Sequence, residues 1–259
     1  SDQGDTSGGF ACGFAGIGGQ NTSGGAYTYT GEIVINGGKI DAHGFGFGAG
    51  IGGGDYGSGG TITINGGIVT ATTGEGMPAG WNDVTSAQAS GIGASQGQPG
   101  GIITITGGTV TAIGGYGCAG IGGGTADVII RGGNVTAYGG PNAAGIGGYD
   151  QNKGEIKITI GADAKVTAYG GSNACGIGQG KNSAAKVTLH IENGAEVYAF
   201  SQENSNRPAI TETANQASDP ASMINAYITN MTLPASVPIT AQAGSDTNDL
   251  TVPAGAIFS

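Results

Sequence analysis

Basic residues are scarce in this chain, and their scarcity limits what it can bind. Only 8 of the 259 residues are Lys or Arg, and the net charge at pH 7 is −10. Nucleic acids and anionic membranes are recognised through basic surfaces, so neither is an expected partner. Long apolar stretches are missing too, and without a run of about 18 such residues the sequence predicts no membrane insertion.

Cysteine and tryptophan are also in short supply, with three cysteines and a single tryptophan. An odd number of cysteines does not fit the fully paired framework of a small disulfide-rich domain. We therefore predict three free thiols, at Cys12, Cys118 and Cys175.

Glycine is abundant, with 58 residues. They follow no Gly-X-Y register, which excludes collagen, and 37% of the chain is hydrophobic at strand spacing, which argues against disorder. The glycines belong to an internal repeat, whose best-defined copy is Thr104–Ala112 followed by Ala119–Gly122. Such a period is the first feature to identify, because it determines the whole fold.

Each copy of the repeat has two apolar triplets and a Gly-Ile-Gly. The first triplets are Ile33–Ile35, Ile62–Ile64, Ile103–Ile105, Val128–Ile130, Ile158–Ile160 and Leu189–Ile191. The second triplets, which follow a glycine-rich corner, are Ile40–Ala42, Val69–Ala71, Val110–Ala112, Val135–Ala137, Val166–Ala168 and Val197–Ala199. The third element is centred on Ile17, Ile51, Ile92, Ile121, Ile146 and Ile177, with Ile210 as a weaker seventh. The corner between triplets is one residue longer in the fifth and sixth copies, Gly161–Ala164 and Glu192–Ala195.

This pattern predicts a solenoid. The triplets alternate apolar, outward and apolar residues, as half-buried strands do, and a coil returns each strand beside its equivalent in the next copy. The sequence therefore predicts an all-β, right-handed parallel β-helix of about six to seven coils over residues 1–201. Residues 202–259 lose the pattern and are predicted to form a C-terminal cap, with a short helix at Ser218-Asp219-Pro220 and strands.

One insertion interrupts the regular spacing. About twelve extra residues separate Ala71 from Ile92, and they carry Trp81 with Asn82 and Asp83. Loops inserted into a rigid repeat scaffold often bind ligands, so these three residues are candidates for ligand binding. The alternative is that Trp81 folds down over the wall of the solenoid.

An aromatic column follows the second triplets. Tyr138, Tyr169 and Phe200 occupy equivalent positions on adjacent coils. They are candidates for a platform on which sugar rings stack, and the alternative is an aromatic ladder that only stabilises the solenoid.

Signals for catalysis and for metals are weak. Asp41 has no acidic neighbour in its outward column, and His43 and His190 belong to different columns. Asp55, Asp127 and Asp150 follow Gly-Ile-Gly in the predicted corners, but a calcium ion needs several such oxygens at one point. The sequence predicts no cofactor, with calcium as the open alternative.

The repeat Ile-Thr-Ile-x-Gly-Gly-x-Val-Thr-Ala, followed by Ala-Gly-Ile-Gly-Gly, resembles glycine-rich β-helix modules of large secreted or wall-attached proteins of Gram-positive bacteria. It is more distantly similar to the cellulose-binding, calcium-containing parallel β-helix proteins of clostridia. The resemblance covers about residues 10–200, and no catalytic residues carry over. It implies a β-helix at the bacterial surface.

The predicted function is that of a non-enzymatic extracellular module, secreted or attached to the cell wall. It would act as an adhesin or spacer within a larger surface protein and bind a polysaccharide, a glycoconjugate or another host ligand. The alternative is a polysaccharide-acting enzyme, a lyase or glycoside hydrolase on a β-helix scaffold. A pair of exposed carboxylates would favour the enzyme, and aligned exposed aromatics would favour binding.

Overall fold

The computed structural model describes residues 13–20, 30–75, 88–192, 194–201 and 207–211. Their regular structure consists of 16 strands. In chain order these are β1 (Ile17–Gly18), β2 (Glu32–Ile35), β3 (Lys39–Phe45), β4 (Ile51–Gly52), β5 (Thr61–Ile64), β6 (Ile68–Glu75), β7 (Ile92–Gly93), β8 (Gly101–Ile105), β9 (Thr109–Ile113), β10 (Ile121–Gly122), β11 (Ala126–Tyr138), β12 (Ile146–Gly147), β13 (Glu155–Tyr169), β14 (Ile177–Gly178), β15 (Lys186–Ile191) and β16 (Glu196–Phe200). Within these ranges no helix is long and apolar enough to cross a membrane.

The two-residue strands form one parallel sheet, in the order β1-β4-β7-β10-β12-β14. The sheet pairs the third-element isoleucines in register, for example Ile51 with Ile92. A parallel bridge between Ile177 and Ile210 adds the weaker seventh copy. Each strand therefore lies beside its equivalent in the next coil, which confirms the predicted parallel β-helix and its number of coils.

The longer strands form a second parallel sheet, in which first triplets pair with first triplets and second with second. Ile103 lies between Ile62 and Val128, as the sequence alignment predicts. Strands β11 and β13 continue through the corner between their two triplets, and their register shifts after Ile130. This shift accommodates the extra residue of the longer fifth corner.

The inward side chains stack into a continuous core. Ile51, Ile121, Ile146 and Ile177 are fully buried and lie in one ladder, as predicted. Burying such a side chain contributes about 1.5–3 kcal/mol. Since every coil contributes inward residues from all three elements, the core runs the length of the described solenoid.

Glycine is required at two kinds of position. Gly108, at a first corner, has φ +89°, and a Cβ there would lie 2.7 Å from the carbonyl oxygen of Gly67. Gly122, the second glycine of a Gly-Ile-Gly, has φ +132°, and its Cβ would lie 2.2 Å from the oxygen of Gly147. Both the left-handed backbone and the close approach of the next coil therefore exclude a side chain.

The two ends of the solenoid are described only in part. Phe14 and Ile17 are half-buried, and Phe14 forms an antiparallel bridge with Phe45. Phe10, Cys12 and residues 21–29 lie outside the described residues, as do 202–206 and 212–259. The predicted C-terminal helix and strands therefore stay predictions, and Ile210 shows only that the stack of Gly-Ile-Gly elements has a member beyond residue 201.

Candidate functional site

The second triplets present an outward face built from three columns of side chains, of which the first contains Lys39, Ile68, Thr109, Asn134, Lys165 and Glu196. The middle column contains Asp41, Thr70, Thr111, Thr136, Thr167 and Tyr198, and the last contains His43, Thr72, Ile113, Tyr138, Tyr169 and Phe200. Both columns have the register that the sequence predicts. A row of hydroxyl groups therefore runs beside a row that becomes aromatic towards the C-terminal coils.

The three aromatic residues form a continuous stack. The ring centroids of Tyr138 and Tyr169 lie 4.9 Å apart at an interplanar angle of 5°, and those of Tyr169 and Phe200 lie 4.9 Å apart at 14°. Tyr138 and Tyr169 are nevertheless 39% and 36% exposed. Rings stacked at the coil spacing stabilise the contact between coils, so this arrangement has the geometry of the structural ladder.

The stack also limits how a sugar can bind. Both faces of the Tyr169 ring are covered, one by Tyr138 and the other by Phe200. A sugar ring therefore has no free face of Tyr169 to stack on. At Tyr169 the exposed surface is therefore the ring edge with its hydroxyl, which favours hydrogen bonding over stacking. Trp81, Asn82 and Asp83, the other candidates, lie outside the described residues.

A second group of polar side chains lies on the same face, near the other end. The His43 Nε2 lies 3.0 Å from the Asp41 carboxylate, and its Nδ1 lies 2.5 Å from the Thr72 hydroxyl of the next coil. An imidazole with its proton on Nε2 donates to Asp41 and accepts from Thr72. The Asp41 and His43 side chains are 62% and 41% exposed. The sequence predicts no partner for His43, although Asp41-x-His43 and Thr72 at the equivalent position of the next coil contain the signal for this group.

The three corner aspartates are dispersed. Asp55 lies in a turn, and burial raises the pKa of its carboxyl although the Tyr56 backbone N–H opposes this shift. Asp127 lies within β11, paired with Lys157, so its predicted place in a corner is wrong; the turn after Ile121 is shorter and the strand begins sooner. Within the described ranges no group of three His, Cys, Asp or Glu could hold a metal ion.

A cleft of about 320 Å³ opens beside the turn that follows Ile177. Asn173, Lys181, Asn182 and Arg207 line it. Asn173 and Asn182 have left-handed backbones, with φ of 56° and 53°. The Lys181 N–H donates to the carbonyl of Asn142 at 2.8 Å, so turns from neighbouring coils meet at this edge.

Buried polar groups fix the guanidinium at the cleft. Arg207 donates to the side-chain oxygen of Gln179, and at 3.0 Å to the carbonyl of Ser183. The Gln179 side chain is 5% exposed, and its amide nitrogen donates to the Ala185 carbonyl at 2.7 Å. Because its support is itself hydrogen-bonded, Arg207 has a fixed orientation.

The sequence itself contains a signal for this cleft. Two residues after the Gly-Ile-Gly isoleucine, the earlier copies have small residues, Gly19, Gly53, Ala94, Gly123 and Gly148, whereas the last has Gln179. Four residues after it stand Asp55, Gln96, Thr125 and Asp150 in the earlier copies and Lys181 in the last. The cleft forms where the repeat departs from its own pattern.

Two cysteines can be placed, and both are buried and free. Burial raises the pKa of Cys118 and of Cys175. The Cys175 Sγ lies 2.9 Å from the Thr211 hydroxyl, and this contact and the charge of Arg207 partly oppose the effect of burial. For these two residues the predicted free thiols are confirmed, and Cys12 lies outside the described residues.

Comparison with known proteins gives one match. Residues 33–55, 62–96, 103–125 and 128–148 each match a family model described as a beta helix repeat. No curated protein and no solved structure matches the chain. Each matched segment begins at or next to the start of a first triplet and ends after a Gly-Ile-Gly, so each spans one coil of the structure. Together with the parallel ladders, these matches support a parallel β-helix fold built from repeats.

Proposed function

We propose that this chain is a non-enzymatic extracellular module, an adhesin and spacer within a larger secreted or cell-wall-attached protein, which binds a polysaccharide or glycoconjugate. The observation that carries the proposal is the unbroken stack of third-element isoleucines, in Gly-Ile-Gly from Ile17 to Ile177 and continued by the bridge to Ile210. Coils that contact only their neighbours build a rod, which grows by about 4.8 Å per coil. Such a rod holds a binding face at a fixed distance from its anchor. The resemblance to surface modules of Gram-positive bacteria supports this location.

The outward face of the second triplets supports the binding part of the proposal. It presents Tyr138 and Tyr169 two residues after Thr136 and Thr167, on the same outward side of the strands. Sugars bind through hydrogen bonds to a few fixed polar groups combined with apolar contact, and the edges of the stacked rings provide both. The net charge of −10 agrees with a ligand other than nucleic acid.

A glycan array with the full chain tests this proposal. The Tyr138→Phe, Tyr169→Phe double variant removes both hydroxyls and keeps the stacked rings. We expect it to lose most of the glycan binding at an unchanged melting temperature, because the rings carry the stability. A full chain that binds no glycan would refute the binding part. Trp81→Ala tests the inserted loop separately: binding lost at an unchanged melting temperature would assign the loop to the ligand, and a large drop in melting temperature would assign it to packing.

The second candidate, a polysaccharide-acting enzyme, rests on His43. Its imidazole, held by Asp41 and bonded to Thr72, is arranged as a general base. This candidate is second because the His43 and Asp41 side chains are 41% and 62% exposed, whereas proton transfer is most effective in a site that excludes water. Release of reducing or unsaturated sugar ends by the full chain, abolished in His43→Ala, would establish the enzyme instead.

A further inference from the structure

The first two glycine-rich corners begin with asparagines whose side chains are linked along the solenoid. The Asn65 amide nitrogen donates to the Asn36 side-chain oxygen at 2.8 Å, and the Thr106 hydroxyl of the following coil donates to the Asn65 side-chain oxygen at 2.9 Å. All three side chains are exposed. Among the described residues, these bonds hold both polar atoms of the Asn65 side chain but only the oxygen of Asn36.

Each of these asparagines is followed by a glycine. Gly37 is exposed and Gly66 is partly exposed, and neither has a left-handed backbone. No described atom outside the neighbouring residues lies within 4 Å of the position that a Gly37 Cβ would take, and at Gly66 that position has only the Asn36 carbonyl oxygen nearby, at 3.5 Å. Within the described part of the chain neither glycine N–H donates a hydrogen bond. The backbone nitrogen after each asparagine is therefore unshielded by a side chain and available to react.

We propose that Asn36-Gly37 and Asn65-Gly66 are sites at which the chain modifies itself, through a succinimide, to aspartate and isoaspartate. The glycine nitrogen bonds to the asparagine Cγ, the bond from Cγ to Nδ2 breaks, and Nδ2 leaves as ammonia with the proton that the glycine nitrogen gives up. Water then opens the ring: cleavage between Cγ and the glycine nitrogen gives aspartate, and cleavage between the asparagine main-chain carbonyl carbon and that nitrogen gives isoaspartate. The reaction needs only water and no glycan, so it stands apart from the proposed function.

The hydrogen bonds make the two sites unequal. At Asn65 two hydrogen bonds must break before Cγ can reach the next nitrogen, whereas Asn36 gives up only the one that it accepts. Conversion of Asn36 to aspartate also leaves a carboxylate that still accepts from the Asn65 amide, in a charge-assisted bond that is about twice as strong as a neutral one. The first conversion therefore holds the Asn65 side chain more firmly and delays the second conversion.

Incubation of the full chain at mildly alkaline pH, with peptide mapping by mass spectrometry at intervals, measures the conversion of each asparagine. We expect Asn36 to convert about fivefold faster than Asn65, the difference that one typical hydrogen bond produces. Asn134 is the internal control, because its side chain is exposed but it precedes the β-branched Val135 within a paired strand. Conversion of Asn36 and Asn65 no faster than that of Asn134 would overturn the inference.

Gly37→Ala and Gly66→Ala are the matched variants. Each adds one methyl group beside the attacking nitrogen, at a position that has room for it and no left-handed backbone. We expect each variant to suppress conversion of the preceding asparagine and to leave the initial rate at the other site and the melting temperature unchanged. Conversion of Asn36 at the parent rate in Gly37→Ala, or products without isoaspartate, would exclude the cyclic route and overturn the inference.

Thr106→Val tests the role of the hydrogen bonds. The substitution keeps the shape of the side chain and removes the bond to the Asn65 oxygen. We expect Asn65 to convert about fivefold faster than in the parent, while the initial rate at Asn36 stays the same. An unchanged rate at Asn65 would overturn the control of this site by its hydrogen bonds.

Discussion

The coils that match the beta helix repeat and the coils that follow them differ in their corners and in the residues after the Gly-Ile-Gly element. Up to residue 148 the corners are Gly-Gly, and small residues follow each Gly-Ile-Gly. After residue 148 the corners are one residue longer, and the aromatic stack continues to Phe200. Gln179 stands where the earlier copies have a small residue, and Lys181 stands where they have an acidic or neutral residue. The inward ladder is the same in both regions. The inward residues therefore build the solenoid in both regions, whereas the cleft at Arg207 belongs only to the later coils.

The largest effect is expected from breaking the ladder that both regions share. Ile121 is fully buried between Ile92 and Ile146. Ile121→Asp places an unpaired charge in the core at a cost of several kcal/mol, enough to unfold the neighbouring coils. Thr111→Asp, on the outward face, is the control, with an expected change within about 0.5 kcal/mol. Circular dichroism melting curves measure both, and similar curves for the two variants would contradict the assigned core.

The next effect compares the two kinds of corner. Gly108 has φ +89°, so Gly108→Ala forces a side chain into a left-handed conformation, costing about 1–3 kcal/mol. Gly161, in a longer corner, does not have a left-handed backbone, and its Cβ would meet Arg131 at 3.0 Å. Gly161→Ala should therefore cost less in urea denaturation. The opposite order would show that the longer corner is the more constrained one.

The aromatic stack gives a smaller and graded effect. Tyr169→Ala removes two ring contacts and Tyr138→Ala one, with each contact worth about 0.5–1.5 kcal/mol beyond the area buried. The loss of unfolding free energy should therefore be larger for Tyr169→Ala. A double-mutant cycle between Tyr138 and Tyr169 measures the interaction energy of their contact, and a value of zero would contradict a stabilising role for the stack.

Protonation of Asp55, which lies in a coil that matches the beta helix repeat, is expected to have a modest effect on stability. Because burial raises its pKa above 3.8, the folded state binds the proton more tightly than the unfolded state. Stability contributed by this residue is then lost as the pH rises from 3.8 through the raised folded value. Asp55→Asn should remove that loss, so its stability relative to the parent should be greater at pH 7 than at pH 4. A difference of the opposite sign in urea denaturation would contradict the burial of this carboxyl.

The smallest difference is expected in the rates at which the cysteine thiols are alkylated. Both are buried, so alkylation of the native protein should be slow at neutral pH, and alkylation of the unfolded protein should label three thiols. Cys175 should react before Cys118, since Thr211 and Arg207 partly oppose the rise in its pKa. Mass spectrometry after timed alkylation measures the order of labelling, and faster labelling of Cys118 than of Cys175 would contradict the expected order.

The amino-acid sequence by itself determined the strands, their register, the inward ladders and the longer corners. These depend on the spacing of apolar residues and glycines, and in a solenoid that spacing places each residue beside its equivalent one coil away. Only the tertiary structure decided which side chains from different columns meet. Gln179 and Arg207 are 28 residues apart and belong to different columns, and His43 meets Asp41 of the neighbouring column. It also decided that the rings of Tyr138, Tyr169 and Phe200 stack on each other, since periodicity gives a position along the coil but not the direction in which a side chain points.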